Sequence, residues 1–253
     1  MENYLSSVKN SCRLLKLFLE SPKELGVSEL SRMLNLSKGA VHKLLATLES
    51  EGFIRQNPAN KQYALGYTLL ELGNKVLQNH DLVEIARPYL RQLADKTKEL
   101  VCLCVIDGRD AIYVYRIDSQ HPIRFTVDIH RRFPLYATSA SRSILAFQSD
   151  DFIDSILSEE IKAFTEHSII DPAALKQRLN KIRAEGSEMS SNMRNIGVTG
   201  VAAPIYDSAA QVVASVSLIG PTDRIIPQAD FLRNCILETT AIISSGIGYN
   251  HPV

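Results

Sequence analysis

No apolar run in this 253-residue chain approaches the ~20 residues that a membrane-spanning helix requires. The opening stretch, MENYLSSVKNSCRLLKLFLE, breaks its apolar positions with charges and so lacks a signal-peptide core. A cytoplasmic protein without a membrane partner is expected. Cys12, Cys102, Cys104 and Cys235 form no CxxC pair and no metal-ligand spacing, which excludes a zinc framework and a disulfide scaffold. His42, His80, His121, His130, His167 and His251 are scattered, with no pair at helical ligand spacing, so neither a metal nor a cofactor is expected. Net charge is missing too: 28 Lys and Arg balance 28 Asp and Glu, leaving no global footprint for a polyanion. The GxSxG signature of serine hydrolases does not occur.

What remains is a chain long enough for a small domain and a larger one, 45% hydrophobic, with charge distributed unevenly. Residues 1–75 hold ten Lys and Arg against seven Asp and Glu, and the rest hold eighteen against twenty-one. The basic excess therefore lies at the N-terminal end.

Local patterns there predict three helices and a hairpin. Val8, Cys12, Leu15 and Leu19 recur at helical spacing until Ser21-Pro22 stops them. Ser28 reads as the N-cap of a second helix, which Asn35 ends. Ser37 caps a third, with Val41, Leu44, Leu45 and Leu48 facing inward and Glu51-Gly52 closing it. Short strands follow at 53–56 and 62–65, around the turn formers Asn57 to Lys61. Helix, helix, helix, hairpin is the winged helix-turn-helix order, in which the second helix of the motif enters the major groove. Away from the inward stripe of that helix lie Lys38, Gly39, His42, Lys43 and Thr47, while Arg55 and Lys61 add charge on the hairpin. Cations suit phosphates, and hydroxyl and imidazole groups suit base edges. A solvated polar face on a small core would show the same pattern.

Helices are expected at 67–79 and 81–98, the second interrupted by Pro88, as a connector. Beyond it strands are expected at 100–106, 111–117, 123–129, 199–206 and 212–219, with helices at 139–148, 151–157, 172–185 and 228–246. The fold class is α/β in the broad sense, or α+β, divided as a winged domain (1–75), a helical linker (76–98) and a second domain (99–253).

Read whole, the sequence resembles the IclR family of bacterial transcriptional regulators. SELSRMLNLSKGAVHKLLATLESEGFIRQ resembles the family's helix-turn-helix and KQYALGYTLLELG its wing exit and linker. PLYATSASRSILAF resembles the loop and helix that enter its ligand pocket, and GVTGVAAPIYDSAAQVVASVSLIGPTDRI its closing strand pair. The resemblance implies a homodimer or homotetramer bound to pseudo-palindromic double-stranded operator DNA, more often as a repressor. It also implies a GAF-like or PAS-like domain that binds a small-molecule effector. The DNA-facing positions become Ser37, Lys38, Gly39, His42, Lys43, Thr47, Arg55 and Lys61. The effector positions carried over are Phe125, Ser139, Ala140, Ser190, Val198, Gly200, Ser217 and Ile219. Thr138 and Ser141 join them, because helix-start hydroxyls and free N–H groups favour a carboxylate. Ordinary N-capping accounts for Thr138, Ser139 and Ser141 equally well. Where the family carries Gly-Lys this chain has Ser141-Arg142, and where it commonly carries Asp-Asp-Glu-Glu this chain has Ser190-Ser191-Asn192-Met193; the loss of those acids points to a differently shaped or more anionic effector than a sugar acid. Three rival readings remain: a redox sensor using Cys102 and Cys104, which share one face of a strand, an enzyme using Ser139 or Ser141 as nucleophile, and an oligomerisation module that binds no DNA.

Overall fold

The computed structural model describes residues 4–19, 24–78 and 81–249. The chain divides into two compact units, one up to residue 79 and the other from residue 80.

The first unit contains α1 (Ser6–Leu17), α2 (Val27–Leu34), α3 (Lys38–Ser50), β1 (Ile54–Gln56), β2 (Tyr63–Leu65) and α4 (Thr68–Gln78). Leu14, Leu30, Leu34, Val41, Leu45, Leu48, Ile54 and Tyr63 bury their side chains together as its core. Asn35 takes the left-handed conformation (φ 54°) that ends α2, and Gly52 (φ 73°) ends α3. The start of α2 differs from expectation: Gly26, not Ser28, is the N-cap, and no side chain caps it. The cause is non-local. Leu25 and Tyr63 exchange both backbone hydrogen bonds at 2.9 Å, adding a bridge to the β1–β2 hairpin, so the helix begins directly after that bridge. The Ser21-Pro22 stop lies outside the described residues.

The second unit is built on a six-stranded antiparallel sheet. Its strands are β3 (Leu100–Asp107), β4 (Asp110–Ile117), β5 (Arg132–Pro134), β6 (Glu188–Ser191), β7 (Val198–Tyr206) and β8 (Val212–Pro221), in the order β5-β4-β3-β8-β7-β6. Side chains alternate across it. Val101, Leu103, Val216 and Leu218 face α5 (Asp81–Thr97) and α10 (Ala229–Gly246), which contribute Val83, Leu90, Ile236 and Ile243 to one core layer. Leu100, Cys102, Cys104, Tyr113 and Ile219 face α6 (Ser139–Leu145), α7 (Asp150–Leu157) and α8 (Pro172–Glu185) in a second layer. A short helix, α9 (Thr222–Ile225), and a 3₁₀ turn (Ile226–Gln228) precede α10. Thus α5, expected as part of a connector, buries Val83, Ala86, Leu90 and Leu93 against the sheet of the second unit.

Two strands depart from expectation. Residues 123–129 form no strand, and β5 forms at 132–134 instead, pairing with Asp110, Ala111 and Ile112. The alternation of Phe125, Val127 and Ile129 is real, since all three pack on the second core layer. Their backbone has no neighbouring strand, and the Val127 carbonyl instead accepts from the Arg116 guanidinium. Strand β6 carries one apolar residue, Met189, so the sequence shows no period there.

Candidate functional site

The first unit presents α3 and the hairpin to solvent. Ser37, Lys38, Gly39, His42, Lys43, Thr47, Arg55 and Lys61 are all exposed. Ser37 Oγ accepts from the Ala40 N–H at 3.2 Å and fixes the start of α3. Thr47 Oγ1 donates to the Lys43 carbonyl at 2.9 Å, so its proton is engaged within the helix. A Cβ on Gly39 would meet nothing within 4 Å, leaving the first turn open to close approach. Arg55 lies 5.5 Å from the centroid of the Tyr67 ring. The sequence reading missed what shapes the hairpin loop. Glu24 accepts from Asn57 Nδ2 (2.9 Å) and Asn60 Nδ2 (2.6 Å), and these two bonds lower its pKa, Asn60 most. The loop that carries Lys61 is therefore held by a carboxylate 33 and 36 residues away in sequence.

The second unit holds a cavity of about 540 Å³ on the α6 side of the sheet. Of the positions named from sequence, Phe125, Thr138, Ser139, Ser190, Val198, Gly200 and Ile219 line it. Gly200 leaves room for Ser139: a Cβ there would come within 2.4 Å of Ser139 Oγ, which would have to turn aside. Ala140, Ser141 and Ser217 do not line it. Ala140 is fully buried, and its carbonyl accepts from Ser215 Oγ at 2.8 Å. Ser141 is fully buried in a capping box, its N–H donating to Thr138 Oγ1 (3.1 Å) and its Oγ accepting from the Thr138 N–H (3.0 Å). Ser217 shares the sheet face of Ile219 but lies under the floor, beside the Tyr113 phenol. Arg142, next to these helix-start hydroxyls in sequence, does not line the cavity and is buried against Glu188, with Nε to Oε1 at 2.9 Å.

Several lining residues went unpredicted: Tyr113, Phe133, Arg131, Arg132 and Arg194. Tyr113 sits at the same inward parity as Ala111 on β4, and its ring lies 4.8 Å from that of Phe133. Burial raises the Tyr113 phenol well above its usual pKa, so it stays a neutral hydroxyl. The cavity thus offers aromatic and aliphatic walls, neutral hydroxyls within, and arginines on two loops and at the start of β5.

The rival chemistries find little here. Cys102 and Cys104 do share a face, but both are fully buried, and burial pushes both thiols up, away from the reactive thiolate. No histidine lines the cavity to activate Ser139. Among the described residues no group of three His, Cys, Asp or Glu side chains could hold a metal, and no helix is long and apolar enough to cross a membrane.

Residues 7–58 match the IclR helix-turn-helix domain and residues 74–245 the bacterial transcriptional regulator IclR C-terminal domain. The chain belongs to the IclR family. It is 32% identical over 234 residues to the HTH-type transcriptional regulator KdgR of Escherichia coli, covering 92% of this chain and 89% of KdgR. The crystal structure of an IclR-family regulator from Alicyclobacillus acidocaldarius superposes with a TM-score of 0.85 at 25% identity, covering 97% of this chain and all of that one. An IclR homologue from Microbacterium hydrocarbonoxydans, solved with 4-hydroxybenzoate, shares the fold at a TM-score of 0.83 and 20% identity, over 95% of this chain and 98% of that one. This IclR-family chain is a DNA-binding transcriptional regulator and not an enzyme.

Proposed function

We propose that the protein is a repressor, working in the cytoplasm as a homodimer or homotetramer, whose hold on double-stranded operator DNA is controlled by a small carboxylate-bearing effector in the cavity of residues 99–253. DNA is read by the exposed face of α3 through Lys38, His42, Lys43 and Thr47, with Ser37 and Gly39 at its start and Arg55 and Lys61 on the wing. The observation that carries the effector reading is the cavity itself. Its volume of about 540 Å³ lies in the range of small-ligand sites, with Arg131 and Arg194 on its wall and Tyr113, Ser139 and Ser190 inside. The Microbacterium homologue, of the same fold, holds an aromatic carboxylate. Self-association is supported by Tyr4, Leu5 and Val8, 62%, 74% and 56% exposed along the start of α1, where a lone copy would leave apolar surface in water.

The test is competitive release. The protein is bound to a labelled duplex from upstream of its own gene, and a panel of small carboxylates and their neutral amides is titrated in while anisotropy is followed. Release by one or more carboxylates, with the matching amides inactive, is the expected result. Release by neutral compounds alone would overturn the effector class, and transcription in vitro that rises with added protein would overturn the repressor role.

A further inference from the structure

Three arginines reach the cavity wall, and they differ in what holds them. Arg132 is paired with Asp107, and Arg131 lies 3.8 Å from Asp128, an 80% exposed carboxylate that is the one acid among the lining residues. Arg194 has no ion pair and no hydrogen-bond partner among the described residues. Its guanidinium lies 3.7 Å from the centroid of the Phe164 ring. The run before it, Ser190-Ser191-Asn192-Met193, contains no acid.

The loop that carries Arg194 is nonetheless tightly built. Asn192 and Gly197 adopt positive φ (63° and 79°), and the Gly197 N–H donates to Asn192 Oδ1 at 2.6 Å. Thr165 Oγ1 donates to the Asn192 carbonyl (2.6 Å) and Ser168 Oγ to the Met193 carbonyl (2.8 Å). A loop pinned at both ends and along its middle holds a cation stacked on an aromatic ring, beside a second cation and without a counter-charge. Burial pulls the Arg194 guanidinium below its usual pKa, and Arg131 pushes the same way. Arg194 is exposed at the cavity edge, so in the empty protein water solvates a guanidinium that has no protein counter-charge, and a bound anion would take that place.

We propose that Arg194, assisted by Arg131, is the specificity-determining residue of this cavity. It holds the ligand's carboxylate at the mouth, so that an apolar body lies along Phe125, Phe133 and Val198 and a neutral polar end reaches Tyr113. The inference rests on the reading of the cavity as the effector site. Arginine's planar fork suits a carboxylate. At the inner end the groups are hydroxyls, and the phenol of Tyr113 is neutral, so a second carboxylate there would be desolvated without a cation to meet it. The ligand class is a monocarboxylate with an apolar core and a neutral hydroxyl at the far end. Dicarboxylates and uncharged esters of the same length are excluded.

The experiment measures binding to the full chain by calorimetry with three probes: 4-hydroxyphenylacetate, its methyl ester, and terephthalate as a diacid of the same length as the monoacid. The wild type is compared with Arg194→Gln, Arg194→Lys and Ser139→Trp, the last filling the cavity, and melting curves establish that each variant is folded. The monoacid is expected to bind best. Arg194→Gln should weaken it by about ten- to a hundredfold, the span of a charge-assisted hydrogen bond, while leaving the ester unchanged, and Arg194→Lys should restore part of the loss. If Arg194→Gln leaves the monoacid unaffected while Ser139→Trp abolishes binding, the role of Arg194 is refuted and the cavity reading stands. If Ser139→Trp leaves binding intact, the cavity reading fails and this inference with it. If none of the probes binds, or the diacid binds best, the ligand class is wrong.

Discussion

Replacing Arg142 with methionine should separate the two walls of the cavity, and the cost can be worked from its partners. Arg142 is 2% exposed and Glu188 1% exposed. Arg142 Nε donates to Glu188 Oε1 at 2.9 Å, and another guanidinium nitrogen donates to the Tyr136 carbonyl at 2.9 Å. The second carboxylate oxygen accepts from Arg178 Nε at 2.9 Å. These bonds tie α6, which carries Ser139, to β6, which carries Ser190. Removing one partner of a buried pair costs about 3–5 kcal/mol, because the other charge is left without compensation. Arg178 continues to hold one oxygen of Glu188, which places Arg142→Met at the lower end, near ~3 kcal/mol. For a unit of this size each kcal/mol shifts Tm by about 2–4 °C, so a fall of roughly 6–12 °C is expected. The double variant Arg142→Met/Glu188→Leu should recover most of it, because two packed apolar side chains need no counter-charge and Arg178, 25% exposed, can turn to water. Thermal unfolding of the single and double variants, followed by circular dichroism, measures both effects. A loss under about 2 °C for Arg142→Met, or a double variant no more stable than the single, would refute the reasoning.

Three further outcomes are expected. Gly66→Ala would place a Cβ 2.0 Å from the Gly52 carbonyl oxygen, which is backbone and cannot rotate aside. The winged unit should lose about 3 kcal/mol or more, and with it DNA binding, while the thermal transition of the second unit persists. Gly200→Ala meets only a side chain, Ser139 Oγ at 2.4 Å, so melting should move by no more than about 1 kcal/mol equivalent while the hydroxyl turns away and ligand affinity falls roughly two- to tenfold. Reaction with a disulfide reagent should label one thiol of the folded chain quickly, the exposed Cys12, and a comparable rate at Cys102 or Cys104 would revive the redox reading.

The parts of the fold that were legible in sequence are those fixed locally. Asn35 and Gly52 end their helices by adopting left-handed conformations that their neighbours could not, and the stripe of Val41, Leu45 and Leu48 sets which face of α3 is exposed. Ser28 misled because the start of α2 is set by a bridge to Tyr63, far along the chain. The strand expected at 123–129 does not form, because a segment that packs alternate apolar residues along a cavity shows the same period as a strand, and only the tertiary fold decides whether a partner lies beside it. For Ser141 and Thr138 the capping and ligand readings call for the same residue types. The structure shows Ser141 taken up by the cap, whereas Thr138 both caps the helix and lines the cavity. Tyr113, Arg131 and Arg194 come from three segments that the sheet and its loops bring together, and no local pattern marks them.

The measurement that tests the account most directly is the salt dependence of DNA binding. Anisotropy of a labelled upstream duplex is followed from about 50 to 200 mM salt, with an unrelated duplex beside it, for the wild type and for Lys38→Ala/Lys43→Ala. If α3 is the reading helix, the wild type prefers its own duplex, and the double variant loses affinity along with about 1.8 from the slope of log K against log salt, ~0.9 for each phosphate contact removed. An unchanged slope and affinity in the double variant would contradict the assignment of the α3 face.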